Sequence, residues 1–309
     1  MWAAKRRVVD AVIGVFDSGS GGLTVLAALR RRLPERTFLY LGDHRHQPYG
    51  ERNGEEVHAL TRAGVEKLFA AGCRLVILAC NTAAAVALRR LQRTWLPQVA
   101  PERRILGVHI PLVEALTGHA WRPPEERVDG AGALPRSSEA VVIFATPTTI
   151  ASHAFAREIA RHDPALAVIE QACPGLAAAI EAGAPARVME TVVRDAWNEA
   201  QRQAAARGWT ITRAALACTH YPLIAEVFRT VLPDSLTILD QPRLAADSLV
   251  SYLARHREYD ETSTTQGRVL LRTTLSEPLA APAAFAETGA RFLPWRTDDP
   301  AFAPAAAVP

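Results

Sequence analysis

Short apolar runs alternate with longer amphipathic stretches along most of the sequence, and this alternation restricts the fold more than any other feature. Turn residues close the apolar runs, which predicts strands at 11–16, 37–41, 75–79, 105–108, 140–145, 167–170 and 214–217. Helical spacing of apolar residues predicts helices at 23–32, 55–71, 84–95, 150–161, 187–207 and 225–231. Because strands that alternate with helices pair in parallel beneath helical layers, the chain is predicted to be an α/β protein with largely parallel sheets.

Two segments far apart in the sequence share one pattern. LVILACNTAAAV contains Cys80 and RAALACTHYPLI contains Cys218. In each, the cysteine directly follows an apolar strand that ends in alanine, and polar residues and a helical stretch follow it. This repeated pattern predicts that the protein has two similar halves that face one site. Ligands of open parallel sheets bind beyond the carboxyl ends of the strands, so both thiols are expected at that edge.

Each of these two cysteines allows two interpretations. The start of the following helix carries a positive dipole end, which favours a thiolate and lowers the thiol pKa from its usual value of about 8.5. Such a thiol suits a base for proton transfer. A free cysteine can instead be a small residue of the hydrophobic core. Matching settings favour the base for Cys80 and Cys218, whereas Cys73 and Cys173 lack comparable polar neighbours and are assigned to the core.

Charge and composition restrict the classes of function that the protein can have. The chain has 35 Lys and Arg residues scattered among 32 Asp and Glu residues, with a net charge of only +3. It therefore shows neither a nucleic-acid stripe nor a membrane-binding face. No apolar stretch is long enough to span a bilayer. Four cysteines without a secretory leader indicate a reducing cytoplasm, so small-molecule chemistry in the cytoplasm is expected.

Little in the sequence supports cofactor chemistry. Lys5 and Lys67 are the only lysines; the first lies in the terminal segment and the second within a predicted helix, so a Schiff-base cofactor is not expected. No C-x-x-C pair is present and no histidine lies at ligand spacing beside another, so no metal site is predicted.

Polar residues follow several predicted strands. Asp17 opens the loop DSGSGG, whose glycines let backbone amides approach an anion and whose carboxylate can meet a substrate ammonium; an ordinary strand–helix turn is the alternative. Tyr49 and Gly50 in QPYG and the hydroxyls of ATPTTIAS can face a ligand or serve only as turn and cap residues. His220 can hold the proton of the neighbouring thiol or be a satisfied polar residue, and Glu181 alone would be a solvated helix residue.

Four segments, GVFDSGSGGLTVL, GDHRHQPYGE, ILACNTAA and ALACTHYPL, resemble in order and spacing the bacterial glutamate racemase family. The resemblance runs from about residue 13 to about residue 294 and includes ACPGLAAAIEAG and RTTLSEPLAAPAAFAETGARFL. The two cysteine motifs combined with DSGSGG and PYG are highly specific. Aspartate and hydantoin racemases resemble the chain less at the cysteine motifs.

The resemblance implies two pseudo-symmetric α/β domains with the active site in the cleft between them, and interconversion of L- and D-glutamate without cofactor or metal. It implies that Cys80 takes the α-proton from D-glutamate and that Cys218 takes it from L-glutamate. It also implies that Asp17 and His220 assist the thiols and that Glu181 supports His220. The substrate-binding residues that it implies are Asp17, Ser18, Tyr49, Gly50, Asn81, Thr82, Thr149, Thr219 and His220.

The same resemblance implies a first domain built from residues 1–107 and 247–309 and a second built from 108–246. It further implies a cytoplasmic homodimer whose D-glutamate enters peptidoglycan. One departure is Phe155, which stands where an S-x-x-Y pattern usually has tyrosine. A surface loop is predicted at 121–138 and a disordered tail at 299–309.

Two other functions stay open. One is racemisation of another acidic amino acid, such as aspartate. The other is a catalytically idle protein of this fold that acts as a binding or inhibitory partner; the presence of both Cys80 and Cys218 argues against it.

Overall fold

A computed structural model describes residues 12–119, 138–260 and 267–297. Lys5, residues 121–137 of the predicted surface loop and the tail at 299–309 lie outside the described residues. Over the described residues the chain forms eleven strands, β1 (Val12–Asp17), β2 (Thr37–Gly42), β3 (Leu75–Leu78), β4 (Arg104–Gly107), β5 (Glu139–Ala145), β6 (Ala167–Ala172), β7 (Thr210–Ala217), β8 (Thr237–Leu239), β9 (Val269–Thr273), β10 (Leu279–Ala280) and β11 (Arg291–Pro294).

The strands form two sheets. The larger sheet has the order β10-β11-β9-β2-β1-β3-β4, and the smaller one has the order β6-β5-β7-β8. All neighbours pair in parallel except β10 and β11, which are antiparallel. The predicted α/β class with largely parallel sheets is confirmed. In each sheet the strand that precedes a cysteine of interest, β3 or β7, pairs on both sides.

Helices cover both faces of each sheet. The described helices are α1 (Leu23–Arg32), α2 (Gly54–Ala70), α3 (Asn81–Arg90), α4 (Leu96–Val99), α5 (His109–Thr117), α6 (Pro147–Ala151), α7 (Ala154–His162), α8 (Leu176–Glu181), α9 (Ala186–Arg207), α10 (Ala225–Val231) and α11 (Gln241–Arg255). None of these helices, which all lie in the described part of the chain, is long and apolar enough to cross a membrane.

Side chains that alternate along the strands separate the core into layers. In the larger sheet, Ile13 and Val15 pack with α1 and α11 on one face, whereas Phe16 packs with α2 and α3 on the other. In the smaller sheet, Val142 faces α8, α9 and α10, and Val141 faces α5 and α7. Because both faces are buried, these strands are apolar on both sides rather than alternating with polar residues.

The predicted strands match β1 to β6 within two residues at each end, whereas β7 begins four residues before the strand predicted at 214–217. The single helix predicted at 150–161 is wrong: α6 and α7 are separate helices, and His153 between them has a left-handed backbone with φ 50°. The hydroxyl of Ser152 accepts from the amide of Ala154 at 3.2 Å, which stabilises this break. The elements β8 to β11, α4, α5, α8 and α11 were not predicted; several are too short for a periodic signal.

The predicted domain boundaries stay a prediction. The boundary between residues 246 and 247 falls within α11, whose Ala245 and Leu249 both pack in the core of the larger sheet.

Candidate active site

A cavity of about 240 Å³ lies where the carboxyl ends of the two sheets face each other. Its walls come from residues that follow β1, β2 and β3 in the larger sheet and β5, β6 and β7 in the smaller one. The volume is below the roughly 300–1,000 Å³ of sites for drug-sized ligands, so the cavity suits a ligand of about amino-acid size.

Cys80 enters this cavity from the larger sheet. It follows β3 and caps α3, and its sulfur accepts a hydrogen bond from the amide of Ala83 at 3.4 Å. The thiol also lies 3.5 Å from the hydroxyl oxygen of Ser18, in the loop after β1. The strand therefore supplies the position of the thiol, and the start of the helix holds its rotamer.

Cys218 enters from the smaller sheet and is part of a chain of polar groups. Its sulfur lies 3.8 Å from Nδ1 of His220, and Nε2 of the same ring lies 2.8 Å from Oε1 of Glu181. Glu181 is the last residue of α8. The imidazole therefore connects a thiol in the cavity with a carboxylate, an arrangement that can accept and return a proton.

The protonation states of His220 and Glu181 follow from their contacts. Burial alone lowers the pKa of His220, but the hydrogen bonds and charges of Cys218 and Glu181 outweigh burial and raise the pKa to about 10. Burial acts to raise the pKa of Glu181, whereas its hydrogen bond to His220 and the charge of that ring lower it overall. Both shifts describe an ion pair, so His220 carries a proton near neutral pH.

The loop at 17–22 brings the two halves of the protein together. A Cβ at Gly21 would lie 2.4 Å from Oγ1 of Thr219 and 2.5 Å from the ring of His220, so only glycine leaves room for that loop. Thr24 donates from its hydroxyl to the carbonyl of Thr219 at 2.9 Å. Asp17 is fully buried behind this loop, and its Oδ2 accepts from the amide of Gly19 at 3.0 Å.

A buried carboxylate holds the wall that contains Tyr49. Asp43 accepts from the hydroxyl of Tyr49 at 2.6 Å, from the hydroxyl of Thr274 at 2.7 Å and from Nδ1 of His46 at 2.9 Å. Asp43 is 3% exposed, and it joins Tyr49 of the cavity wall to Thr274, which directly follows β9. The turn at Tyr49 and Gly50 is therefore tied to the sheet rather than loose.

Three threonine hydroxyls form a buried triangle across the two halves. Oγ1 of Thr82 lies 3.0 Å from Oγ1 of both Thr146 and Thr149, and those two atoms are 2.9 Å apart. Thr146 also caps α6 by accepting from the amide of Thr149. Of the other hydroxyls of ATPTTIAS, Thr148 donates to a carbonyl outside the cavity wall, so it is a structural residue here.

Comparison with known proteins decides the family. No protein-family model matches the chain. The glutamate racemase of Caulobacter sp. (strain K31) is 46% identical over 270 residues, which cover 86% of this chain and 93% of that protein. The chain belongs to the glutamate racemase family. The resemblance found in its motifs is thereby confirmed.

Solved structures of glutamate racemases have the same fold. Isoform RacE1 from Bacillus anthracis superposes with a TM-score of 0.74 at 27% identity, covering 94% of this chain and 98% of that chain. The glutamate racemase from Thermus thermophilus in complex with β-chloro-D-alanine gives 0.70 at 28% identity, covering 93% and 96%. The match extends across both sheets of the α/β fold.

Most residues expected from the glutamate racemase motifs meet at the one cavity. Those that line it are Ser18, Tyr49, Gly50, Cys80, Asn81, Thr82, Glu181, Cys218, Thr219 and His220. Asp17 and Thr149 do not line it; both are fully buried one layer behind. Glu181, which looked like a solvated helix residue, is instead held by His220.

Several residues of the wall were missed from the sequence. Cys173 belongs to the core, as expected, but it also lines the cavity beside Gly175. Burial raises the pKa of its thiol to about 12. Gln47 and Pro147 line the cavity as well, and each precedes or follows a motif residue by one or two positions. The closeness of Gln47 and Pro147 to motif residues in the sequence is the feature that could have predicted their place in the wall.

The prediction of a lowered thiol pKa is wrong for Cys80. Burial raises its pKa to about 12, and the nearby charge of Asp17 adds to the rise. Hydrogen bonds with Ser18 and Ala83 act in the opposite direction but do not outweigh burial. The cost of a charge at this buried position therefore exceeds the effect of the helix start.

Among residues 12–119, 138–260 and 267–297, no group of three or more His, Cys, Asp or Glu side chains is arranged to hold a metal ion.

Proposed function

We propose that the chain interconverts L- and D-glutamate by moving a proton at Cα between two thiols. The observation that carries the proposal is that Cys80 and Cys218, which follow interior strands of two different sheets, line one small cavity. Thiols that reach a ligand from opposite sides can serve its two faces. A two-base racemisation requires such an arrangement, because one group removes the proton from one face of Cα and the other delivers a different proton to the opposite face.

The proposed reaction conserves atoms and electrons. One sulfur, as a thiolate, takes the α-proton and forms an S–H bond, and the electron pair of the C–H bond stays on Cα. The opposite thiol then gives its proton to the other face and becomes the thiolate. In this proposal Cys218 takes the proton from L-glutamate and Cys80 takes it from D-glutamate. No group is oxidised or reduced.

The protonation of the cavity's side chains fits the direction from L- to D-glutamate. Burial keeps Cys80 as a thiol, which can donate. His220 is charged and lies beside Cys218, so it can exchange a proton with that sulfur. Glu181 holds the ring through its other nitrogen and stabilises the charge. Asp17 assists from behind Cys80, whose pKa responds to its charge.

Carbanion formation needs electrostatic stabilisation as well as two bases, because each positioned acid or base contributes only about 10²–10⁴-fold. The first amides of α3 lack intrahelical partners and lie at the cavity wall beside Asn81 and Thr82. Together with the other predicted binding residues of the cavity wall, Ser18, Tyr49, Gly50 and Thr219, they form the proposed glutamate site, and Thr149 supports Thr82 from behind it. Charge that develops on a substrate carboxylate would be stabilised there.

The broader biological setting belongs to the same proposal. D-glutamate made by this reaction would supply peptidoglycan synthesis in the cytoplasm, and the enzyme would work as a homodimer without a cofactor. The two domains would comprise residues 1–107 with 247–309 and residues 108–246.

Circular dichroism of reactions started separately from L-Glu, D-Glu, L-Asp and D-Asp tests the proposal. We expect both glutamate enantiomers to lose optical activity, with a kcat/KM far above that for aspartate. The relatives' activity supports this expectation. Equal or faster turnover of aspartate would assign the chain to the other acidic amino acid. No turnover of either would favour an idle binding protein.

Replacement of Glu181 by glutamine is expected to move the alkaline limb of kcat/KM for L-glutamate to lower pH by about one unit or more, the usual effect of removing one nearby opposite charge. The carboxylate is one of the groups that raise the pKa of His220, whereas burial lowers it. Without that carboxylate, the ring loses its proton at lower pH. A rate profile from pH 6 to about 11, which passes the pKa of His220, measures the shift.

Glu170→Gln is the matched control, because Glu170 also pairs with a histidine, His153, at 2.8 Å, but neither residue lines the cavity. Its profile should coincide with that of the unmodified protein. An unchanged pH profile for Glu181→Gln would show that Glu181 does not set the protonation of His220 during the reaction.

A further inference from the structure

A glutamine outside the cavity holds the side chain of Asn81. Asn81 directly follows Cys80, begins α3, lines the cavity and is 2% exposed. Gln241 begins α11, is 1% exposed and does not line the cavity. The side chain of Asp240 caps α11 by accepting from the amide of Arg243 at 3.3 Å, so the backbone at Gln241 is anchored.

The two amides form a reciprocal pair. Nδ2 of Asn81 donates to Oε1 of Gln241 at 2.8 Å, and Nε2 of Gln241 donates to Oδ1 of Asn81 at 2.7 Å. Such a pair is symmetric: if both amides turned over together, both hydrogen bonds would re-form. The pair alone therefore does not decide which atom of Asn81 lies on which side.

A third bond removes this ambiguity. Nε2 of Gln241 also donates to the carbonyl of Val108 at 3.3 Å. A carbonyl only accepts, so the nitrogen of Gln241 must face Val108, and the orientation of Asn81 follows. Val108 is itself fixed, because its amide donates to the carbonyl of Leu78 at the end of β3. The orientation of both amides is therefore fixed relative to β3, the strand that precedes Cys80.

We propose that Gln241 is a positioning residue of the active site, which sets the amide orientation of Asn81 toward the substrate. This inference rests on the proposed function, in which Asn81 binds glutamate. Each amide atom of Asn81 uses one hydrogen or one lone pair on Gln241, which leaves one N–H donor and one acceptor site. Turned over, the amide would present its oxygen where a substrate carboxylate needs the N–H.

Gln241→Leu tests the proposal, since leucine has a similar size but no hydrogen-bonding group. We expect KM for both glutamate enantiomers to rise about tenfold, the size of one net hydrogen bond, while kcat changes less than threefold. Binding that is equal in ground and transition states affects KM rather than kcat. Gln92→Leu is the control: Gln92 likewise donates to a backbone carbonyl, that of Ile105 at 2.8 Å, but it does not line the cavity, and its KM should stay unchanged.

A double-mutant cycle separates positioning from a structural effect. If Gln241 acts through Asn81, then Asn81→Leu raises KM, and adding Gln241→Leu to it raises KM less than twofold further. Additive increases would overturn the inference, as would a normal KM in Gln241→Leu. If the leucine variant does not fold, Gln241→Glu serves instead, because an ionised carboxylate cannot donate to Asn81 or Val108, and its KM should rise as well.

These outcomes are distinct from failure of the proposed function. An active unmodified protein whose Gln241 variants keep a normal KM overturns the role of Gln241 alone. A normal KM in Asn81→Leu removes Asn81 from the glutamate site and the inference with it. An unmodified protein that racemises neither enantiomer overturns the proposed function.

Discussion

Replacement of Cys218 or of Cys80 by serine is expected to lower racemisation of glutamate by about 10²–10⁴-fold, the contribution of one positioned acid or base. Each alcohol is a far weaker base than the thiolate that it replaces. Because inversion at Cα needs both thiols, either substitution alone is enough to lower the rate of racemisation. The measurement is the initial rate from each enantiomer by circular dichroism.

The two variants should differ in what they still do. In D₂O, Cys80→Ser is expected to keep some exchange of the α-proton of L-glutamate, because Cys218 remains, and to lose exchange from D-glutamate. Cys218→Ser should show the reverse. Proton NMR of Cα–H measures both. In the unmodified protein, early product should carry deuterium while the remaining substrate stays protiated, because the incoming proton comes from the far thiol.

Cys73→Ala is the matched control for the thiol variants. Cys73 is fully buried in the core between β3 and α2, away from the cavity, and its substitution should leave the rate and the exchange pattern nearly unchanged. Near-normal racemisation by either serine variant, or deuterium that appears early and equally in substrate and product, would contradict the two-thiol mechanism.

Gly64→Leu is expected to destabilise the protein by about 3 kcal/mol, at the upper end of the cost of overpacking a core. Gly64 lies on the buried face of α2, and a Cβ there would be 2.1 Å from the ring of Phe16 in β1. That ring is fully buried and lies 6.3 Å from the ring of Tyr49, measured between centroids. The ring cannot move without disturbing the wall of the active site. Urea unfolding followed by circular dichroism measures the loss.

Gly54→Ala in the same helix is the control. A Cβ at Gly54 would meet only Cγ1 of Val86, at 3.7 Å, which is an ordinary contact. This variant should be neutral or more stable by about 0.4–1 kcal/mol, because alanine restricts the unfolded chain. A midpoint for Gly64→Leu equal to that of the unmodified protein would show that the contact between α2 and β1 is looser than the structure indicates.

The α/β class and seven strands followed from the sequence because both depend on local periodicity. Apolar runs closed by turns predict strands wherever they fold, and strands buried on both faces keep that signal strong. The motifs around Cys80 and Cys218 also identified the family, since they combine residue type, spacing and position after a strand. The short strands β8, β10 and β11 have two to four residues each and carry no such signal.

Only the tertiary structure decided the pKa shifts in the site and the residues that hold its side chains in place. The sequence places Cys80 at a helix start, which predicts a lowered pKa, but the fold buries the thiol and the pKa rises instead. Glu181 looked solvated until the fold brought His220 to it from 39 residues away. Gln241 is 160 residues from Asn81 and belongs to no motif, yet its amide meets that of Asn81 in the fold. Periodicity predicts which residues are buried, whereas charge and hydrogen bonding depend on neighbours that only the packed chain assembles.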